Sequence, residues 1–370
     1  SAASDVYKRQ PFYIVCVRYF FHISFYTLII AFRFLYRSHF VLPIIRVTLY
    51  MASPLFSEDS EDKWKQAAEA AYDIIKQKTD LGLDLVPYPQ IFNDVNNQKA
   101  EVILYRPTGE SGDFEKANFP IGVEGGKTST CPTQNLMEAY DMKDGTPFVW
   151  NNQSNPYDNR DPRMKYTIVC NEMKWPVDPV EIWEGGTNGL PLQNATTTGY
   201  YLKKYVNNTI SFEAGSTVTK KQHNWVLFRY GEILLNYAEA MINAFHDPNY
   251  KDAVYNMSAR EAVNQIRGRT NISLPGFPSD ITEKDFVKRL KNERRVELAF
   301  EGHRFWDVRR WKELGQTANI YGVKITKNNE VISYEKFLLE TRAVTDNMYF
   351  YPIPNTERFK NPNLGQNPGW

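Results

Sequence analysis

The chain has little cysteine, almost no net charge and no long apolar run. Its three cysteines, at 16, 131 and 170, are too few for a disulfide framework and lack metal-ligand spacing. Basic residues number 44 against 43 acidic ones. With no basic excess to neutralise phosphates, nucleic acid is excluded as the main partner. In the apolar early segment the longest stretch without Lys, Arg, Asp or Glu is Tyr19 to Phe32, 14 residues between Arg18 and Arg33. A bilayer span takes roughly 20 apolar residues. The stretch has the length of a signal-peptide core, but no small-residue cleavage site follows it, and Ile14 and Val15 precede Cys16 where a lipid-attachment signal has small residues. Catalytic patterns are also missing. His303 has no neighbouring Cys or Ser to pair with as a nucleophile.

Aromatic residues, by contrast, are abundant: 22 Phe, 23 Tyr and 8 Trp, or 14% of the chain. Such an excess serves either a large core or exposed rings that stack on a flat ligand. Charge is unevenly spread. Residues 1–57 contain six basic residues and one acidic residue, Asp5, leaving 38 basic and 42 acidic residues in the remainder. The charge break, the absence of a fold pattern and the position of Met51 suggest that residues 1–46 are a leader without a fold, not native protein sequence. Folded sequence is expected from Val47.

Trp64, Ala68, Ala71 and Ile75 fall at helical spacing in Asp62 to Lys76, with Lys65, Glu69, Asp73 and Lys76 largely opposite. Residues 84–224 are rich in Gly, Pro, Asn and Thr, with β-prone runs at Glu101–Tyr105 and Lys165–Val169. Irregular stretches this long are uncommon in compact domains and are often functional. Helical patterning returns in NWVLFRYGEILLNYAEAMINAF, where Phe228, Leu234, Leu235, Ala238, Met241 and Phe245 predict one face. Two more helices are expected near Ser258–Arg267 and Glu283–Phe300. Small residues (Ala67, Ala68, Ala71, Ala238, Ala240) suggest closely paired antiparallel helices. The Pro- and Asn-rich tail YPIPNTERFKNPNLGQNPGW should lie extended on the surface.

Several motifs resolve to structural readings. GVEGGKTS, from Gly122, has one residue too few before its Gly-Lys-Thr for a phosphate loop, and Pro132 interrupts the helix that should follow. Asp141-Met-Lys-Asp144-Gly145 lacks the alternating ligands of a calcium loop and reads as a turn after a helix. Glu293, Glu297 and Glu301 recur every four residues and would repel unless answered by cations. The spacing offers the pairs Arg289–Glu293, Arg294–Glu297 and Glu301–Arg304, so a partly buried ion network is expected rather than acid–base chemistry. Trp64, Trp225 and Trp311 sit on helical patterns and are expected in the core. Trp150, Trp175 and Trp183, with Tyr157, sit in polar loops. Each either pins its loop to the core or stacks on a ligand, and rings beside Asn and Asp are what a sugar site uses.

Ordered segments between about Val47 and Trp370 also resemble one family. LYMASPLF with DKWKQAAEAAYDII looks like a helix pair. CPTQNLMEAYDMKDGTP, NPYDNRDPRMKYTIV with Arg160-Asp161-Pro162-Arg163, and TGYYLKKYV follow it. NWVLFRYGEILLNYAEA, AVNQIRGRT and KNERRVELAFEGHRFWDVRRW look like a C-terminal helical core, and YPIP…NPNLGQNPGW looks like the family ending. Together they resemble the SusD/RagB family of nutrient-binding outer-membrane lipoproteins, without the front helices and lipoprotein signal that begin its members. The resemblance implies a mainly α fold of tetratricopeptide-like helical hairpins, with long irregular loops and a few short strands. Residues 84–224 would be the loop-rich, ligand-facing part and 225–370 the helical core and extended tail. It also implies surface capture of a glycan or peptide beside a TonB-dependent, SusC-like transporter, a lipid anchor missing from this chain, and neither catalysis nor cofactor. Ligand residues vary within the family, so Trp150, Tyr157, Trp175 and Trp183 rest on their own chemistry. Two alternatives stay open: a structural lid of the transporter without its own ligand, and a glycoside hydrolase, for which no carboxylate pair is singled out.

Overall fold

A computed structural model describes residues 41–370 apart from 59, 94, 153–154, 176–177 and 213–218. The leader reading of residues 1–40 lies outside the described residues. Helix α1 spans Val41–Ala52, so helical structure begins six residues before the expected boundary at Val47. Ile45, Leu49 and Ala52 are buried along one face. Residues Ile45–Trp370 form one compact unit.

Helix α2 spans Glu61–Lys76. The Ser60 side chain accepts from the Lys63 N–H, Glu61 and Asp62 occupy the first turn, and Lys76 the last. Cap and dipole therefore agree on both ends. The buried face contains Trp64, Ala67, Ala68, Ala71 and Ile75, and it packs on helix α6, Tyr230–Phe245. Tyr72 stacks on Tyr237 with centroids 5.4 Å apart, and Lys65 lies 6.0 Å from the Phe245 ring. The contacts run in opposite chain directions, so the helices are antiparallel. Ala68, Ala71, Ala238 and Ala240 are all fully buried, and their small side chains permit the close approach.

Of the 16 residues of α6, all but Asn243 and Phe245 are buried. A helix enclosed on every side must be apolar or internally paired all round. Helix α7, Ala259–Arg267, starts with a reciprocal Ser258/Glu261 cap. Helix α8, Glu283–Glu297, starts with the Thr282 cap. Both pack against α6. A turn with left-handed Phe300 (φ 61°) and Gly302 (φ 82°) leads to helix α9, Arg304–Arg310.

The sequence pattern misassigned one junction. NWVLFR is strand β4 (Asn224–Arg229), not the start of the helix, so Phe228 and Trp225 lie on a strand. It pairs antiparallel with β1 (Val102–Pro107). Trp225 is half-buried and stacks on His223 at 5.2 Å. Lys165 likewise lies not on a strand but in helix α5 (Pro162–Thr167), before strand β2 (Ile168–Val169), which pairs with β3 (Tyr201–Leu202). Helix α8 ends at Glu297, three residues short of expectation.

Between β1 and α5 lie two short helices, α3 (Asp113–Asn118) and α4 (Gln134–Met137). The loop layer has its own core, including Tyr140, Met164, Ile168, Tyr200 and Val323. The phosphate-loop lookalike is a packing device there. A Cβ on Gly122 (φ 88°) would lie 2.2 Å from the Thr187 carbonyl oxygen, and one on Gly126 2.3 Å from that of Pro120.

The C-terminal third contains an element absent from the sequence reading, a long antiparallel hairpin. Strand β5 (Asn319–Asn328) pairs with β6 (Val331–Thr341), Asn328 opposite Val331. The tail beyond it has no buried residue among positions 342–370. It is largely irregular, yet it includes one short helix, α10 (Asn355–Lys360), where none was expected.

Candidate functional site

The site is best built from its support, a buried charge lattice, up to the rings on the surface. Glu293 and Glu297 project inward from the end of α8 and Glu301 from the turn after it, but they do not meet the cations that helical spacing offered. Arg163 of α5 reaches Glu293 at 2.5 Å and Glu297 at 2.8 Å while chelating Asp161 at 2.7 Å. Arg229, at the end of β4, pairs with Glu101, Glu297 and Glu301 at 2.7–2.8 Å. Arg267 of α7 pairs with Glu293 at 2.7 Å, and Arg269 with Glu297 at 2.7 Å and with Glu101. Lys204 holds Glu301 at 2.8 Å. Five carboxylates thus face five cations drawn from helices, strands and loops.

The three expected pairings therefore fail. Arg289 donates to the Gly145 carbonyl oxygen at 2.8 Å. Arg294 points the other way, to Asp307 and Asn236 at 2.8 and 2.6 Å. Arg304 donates to Gln316. Residues three or four apart on a helix can pair on its solvent face, but a buried face meets cations from other elements first. The three glutamates are held in a buried ion network whose cations, drawn from outside that helix, are Arg163, Arg229, Arg267, Arg269 and Lys204.

Burial alone would raise the Glu297 pKa, yet Arg269, Arg229 and Arg163 more than offset that and hold it far below the carboxylate range. Glu293 and Glu301 are lowered for the same opposing reasons, with Arg163 and Arg267, and Arg229 and Lys204, respectively. A second lattice locks α1, α6, α8 and α9. Glu239 accepts from Arg310 and from the Trp311 indole, Asp307 bridges Arg294 and Arg310, and Arg46 pairs with Glu232 at 2.8 Å. His303 is buried beside it, and burial together with Arg46 and Arg294 pushes its pKa well below the usual value.

Over this frame lie the rings singled out from the sequence. Tyr157 and Trp175 belong to the core of the loop layer, and Trp150 and Trp183 pack against that same core. Tyr157 is 6% exposed and meets Tyr200 and Tyr334 edge-on. Trp175 is also 6% exposed, beneath the Lys203 ammonium at 5.2 Å. Both pin their loops and offer no open face to a ligand, because their faces are spent on packing.

Trp150 and Trp183 are half-exposed. The Trp150 indole donates to Asn152, and its ring meets Phe148 edge-on at 6.4 Å. Phe148 in turn lies on the buried Arg160 guanidinium at 3.6 Å. Arg160 donates to the carbonyl oxygens of Pro156, Met137 and Tyr140 at 2.6–2.7 Å, so the loop tip stands on a fixed plate. Val149, 80% exposed, completes the tip. Trp183 has the Lys327 ammonium 4.4 Å above its ring, and the next residue donates its N–H to the Ile325 carbonyl oxygen of β5 at 2.9 Å. Gly189 allows the backbone to close under it: a Cβ there would lie 2.2 Å from the Trp183 carbonyl oxygen.

Phe148 and Lys327 did not stand out in the sequence, and Arg160 did so only as part of a motif. The signal available was Arg160 itself, a charged residue in the Arg-Asp-Pro-Arg motif. Among the described residues no group of three His, Cys, Asp or Glu could hold a metal ion, and no helix is long and apolar enough to cross a membrane.

A helical-hairpin frame bearing rigid, ring-tipped loops defines a scaffold class, and the comparisons narrow it. The SusD family model matches residues 90–370, and the chain belongs to that family. It is 29% identical over 163 residues to SusD-like protein P2 of Formosa agariphila, covering 42% of this chain and 28% of that one. A SusD-like protein from Bacteroides fragilis superposes with a TM-score of 0.70 at 25% identity, over 88% of this chain and 64% of that chain. A SusD-like carbohydrate binding protein from the same species gives 0.69 at 24%, with the same coverage. The chain thus spans a little under two thirds of these solved relatives and about a quarter of the F. agariphila protein. The fold is the mainly α, tetratricopeptide-like SusD fold.

Proposed function

We propose that this protein binds a glycan at the cell surface and passes it, unchanged, to a TonB-dependent, SusC-like transporter in the outer membrane. The observation that carries the reading is the half-exposed pair Trp150 and Trp183, each held by a fixed support on one shared core. Apolar sugar faces stack on such rings, and a rigid platform loses little entropy on binding. Asn151 and Asn152, both exposed at the Trp150 tip, supply amides for hydroxyls. Family membership and the likeness to a SusD-like carbohydrate binding protein favour the same ligand class. A non-enzymatic role is favoured by the fate of Glu293, Glu297 and Glu301. They are sealed under arginines that keep them ionised, so none is a proton donor at neutral pH. Surface placement, the lipid anchor and the transporter partner rest on the family alone.

The test is calorimetry against a panel of neutral oligosaccharides and peptides, with Trp150→Ala and Trp183→Ala beside the wild type. Binding of an oligosaccharide without hydrolysis, weakened about tenfold or more by either substitution, is expected. Silence across the panel would favour a ligand-free lid, and release of reducing sugar would favour a hydrolase.

A further inference from the structure

Strand β6 has an open edge. In an antiparallel hairpin the backbone groups of successive residues point alternately toward the partner strand and away from it. On β5 the outward residues are marked by their bonds. The Tyr321 N–H donates to Asn135 Oδ1 at 2.8 Å and the Val323 N–H to the Thr198 carbonyl oxygen at 3.0 Å, while the Ile325 carbonyl oxygen accepts from the Glu184 N–H at 2.9 Å. Their register partners on β6 are Leu338, Lys336 and Tyr334, and Ile332 follows opposite Lys327. These four therefore turn their N–H and C=O groups away from β5. Among the described residues the sheet has two strands, and no hydrogen bond joins the four backbone positions to another element. The outer side of β5 is covered and that of β6 is not.

Proteins ordinarily blunt such an edge with proline, a bulge or a free lysine. From Val331 to Leu338 β6 has no proline or glycine, and its register with β5 runs without a bulge. Its one lysine there, Lys336, is tied down: the ammonium pairs with Glu138 at 2.7 Å and sits 4.5 Å over the Tyr321 ring. Glu335 is exposed and takes no part in an ion pair among the described residues, because Lys324, its register partner, goes to Glu184 at 3.3 Å. A second copy of this chain fits the edge poorly. Two β6 strands must set their outward residues opposite one another, and the antiparallel registers that use most of the strand centre on Glu335 or Lys336. Each places two like charges directly opposite, which is destabilising.

We propose that the β6 edge docks an extended polypeptide segment of a partner protein, added antiparallel as a third strand, with a lysine or arginine opposite Glu335. Main-chain bonds to Ile332, Tyr334, Lys336 and Leu338 fix the register. The pair at Glu335 falls between them, where side chains on opposite strands approach most closely. The inference does not depend on the glycan-binding reading.

The probe is the peptide acetyl-Thr-Val-Thr-Val-Lys-Val-Thr-Val-Thr-amide, compared by calorimetry at low salt with its counterpart bearing Glu in place of Lys. Wild type should bind the Lys peptide about fivefold more tightly than the Glu peptide. Glu335→Lys should reverse that order, and binding of the Glu peptide would show that the variant is folded. N-methylation of the two Val residues beside the Lys removes amides that face β6 and should weaken binding about tenfold or more. N-methylation of the next Thr on either side, whose amides face solvent, should leave affinity nearly unchanged. No binding of the Lys peptide, equal losses from the two methylation patterns, or a charge preference that Glu335→Lys fails to reverse overturns the proposal. A concentration-dependent dimer of the wild type that the peptide dissociates would put a second copy on the edge and overturn the choice of partner.

Discussion

Glu297 offers the sharpest test of the frame. It is fully buried. Its two oxygens take three charge-assisted hydrogen bonds: Arg163 at 2.8 Å on one, Arg229 at 2.8 Å and Arg269 at 2.7 Å on the other. Glu297→Gln preserves shape but removes the charge and turns one acceptor into a donor aimed at guanidiniums. Breaking one side of a buried ion pair costs about 3–5 kcal/mol, and here one loss touches three cations, so the upper part of that range is expected. Glu340→Gln is the control. Its pair with Arg342 has both side chains about half exposed (51% and 50%), and such surface pairs contribute about 0–1 kcal/mol. Urea denaturation by far-UV circular dichroism measures both at pH 7. A Glu297→Gln loss no larger than that of Glu340→Gln would refute the claim that the lattice holds the fold. It would mean that other packing carries the helices and that the arginines relax into solvent.

Acid should destabilise the protein in two stages. The pKa of native His303 is depressed, while the unfolded residue protonates near the ordinary ~6.5. The unfolded state therefore binds more protons, and stability should fall as pH drops below that value. Glu293, Glu297 and Glu301 are also depressed; their contribution is complete above about 4.3 and lost further into acid. Melts at pH 7.5, 5.5 and 4 should show falling midpoints, and a rise between 7.5 and 5.5 would contradict the His303 assignment. Trp175→Ala should cost about 3–5 kcal/mol as a core truncation, whereas Trp150→Ala should cost clearly less and act on ligand affinity. Equal stability losses would remove the distinction between pinning and presenting rings. Gly189→Ala forces a Cβ against the Trp183 carbonyl oxygen and should lower stability by about 1–3 kcal/mol; an unchanged urea midpoint would show that this loop yields freely.

Much of the helical scaffold was legible because its signals are local. The stripe through Trp64, Ala68, Ala71 and Ile75 and the face through Leu234, Leu235, Ala238 and Met241 each depend on residues within a few turns of one another. The β4–α6 junction was read as one helix because VLF fits either period over so short a span. The β5–β6 hairpin escaped because β6 is exposed along most of its length, with only Tyr334 buried, so it lacks a clean alternation. Trp150 and Trp175 have similar polar-loop surroundings in the chain. Which one packs inward depended on Lys203 and the Tyr200 core, far away in sequence.

The main helices, their order and the family they compose were thus legible from short-range patterning, while several of their ends were not. What tertiary structure alone decided was partnership. It gave Glu297 to Arg163, Arg229 and Arg269, gave Glu301 to Arg229 and Lys204, and turned Trp150 outward. Coulombic and packing contacts act through space over a few ångströms, and the residues they join here lie 28 to 134 positions apart along the chain.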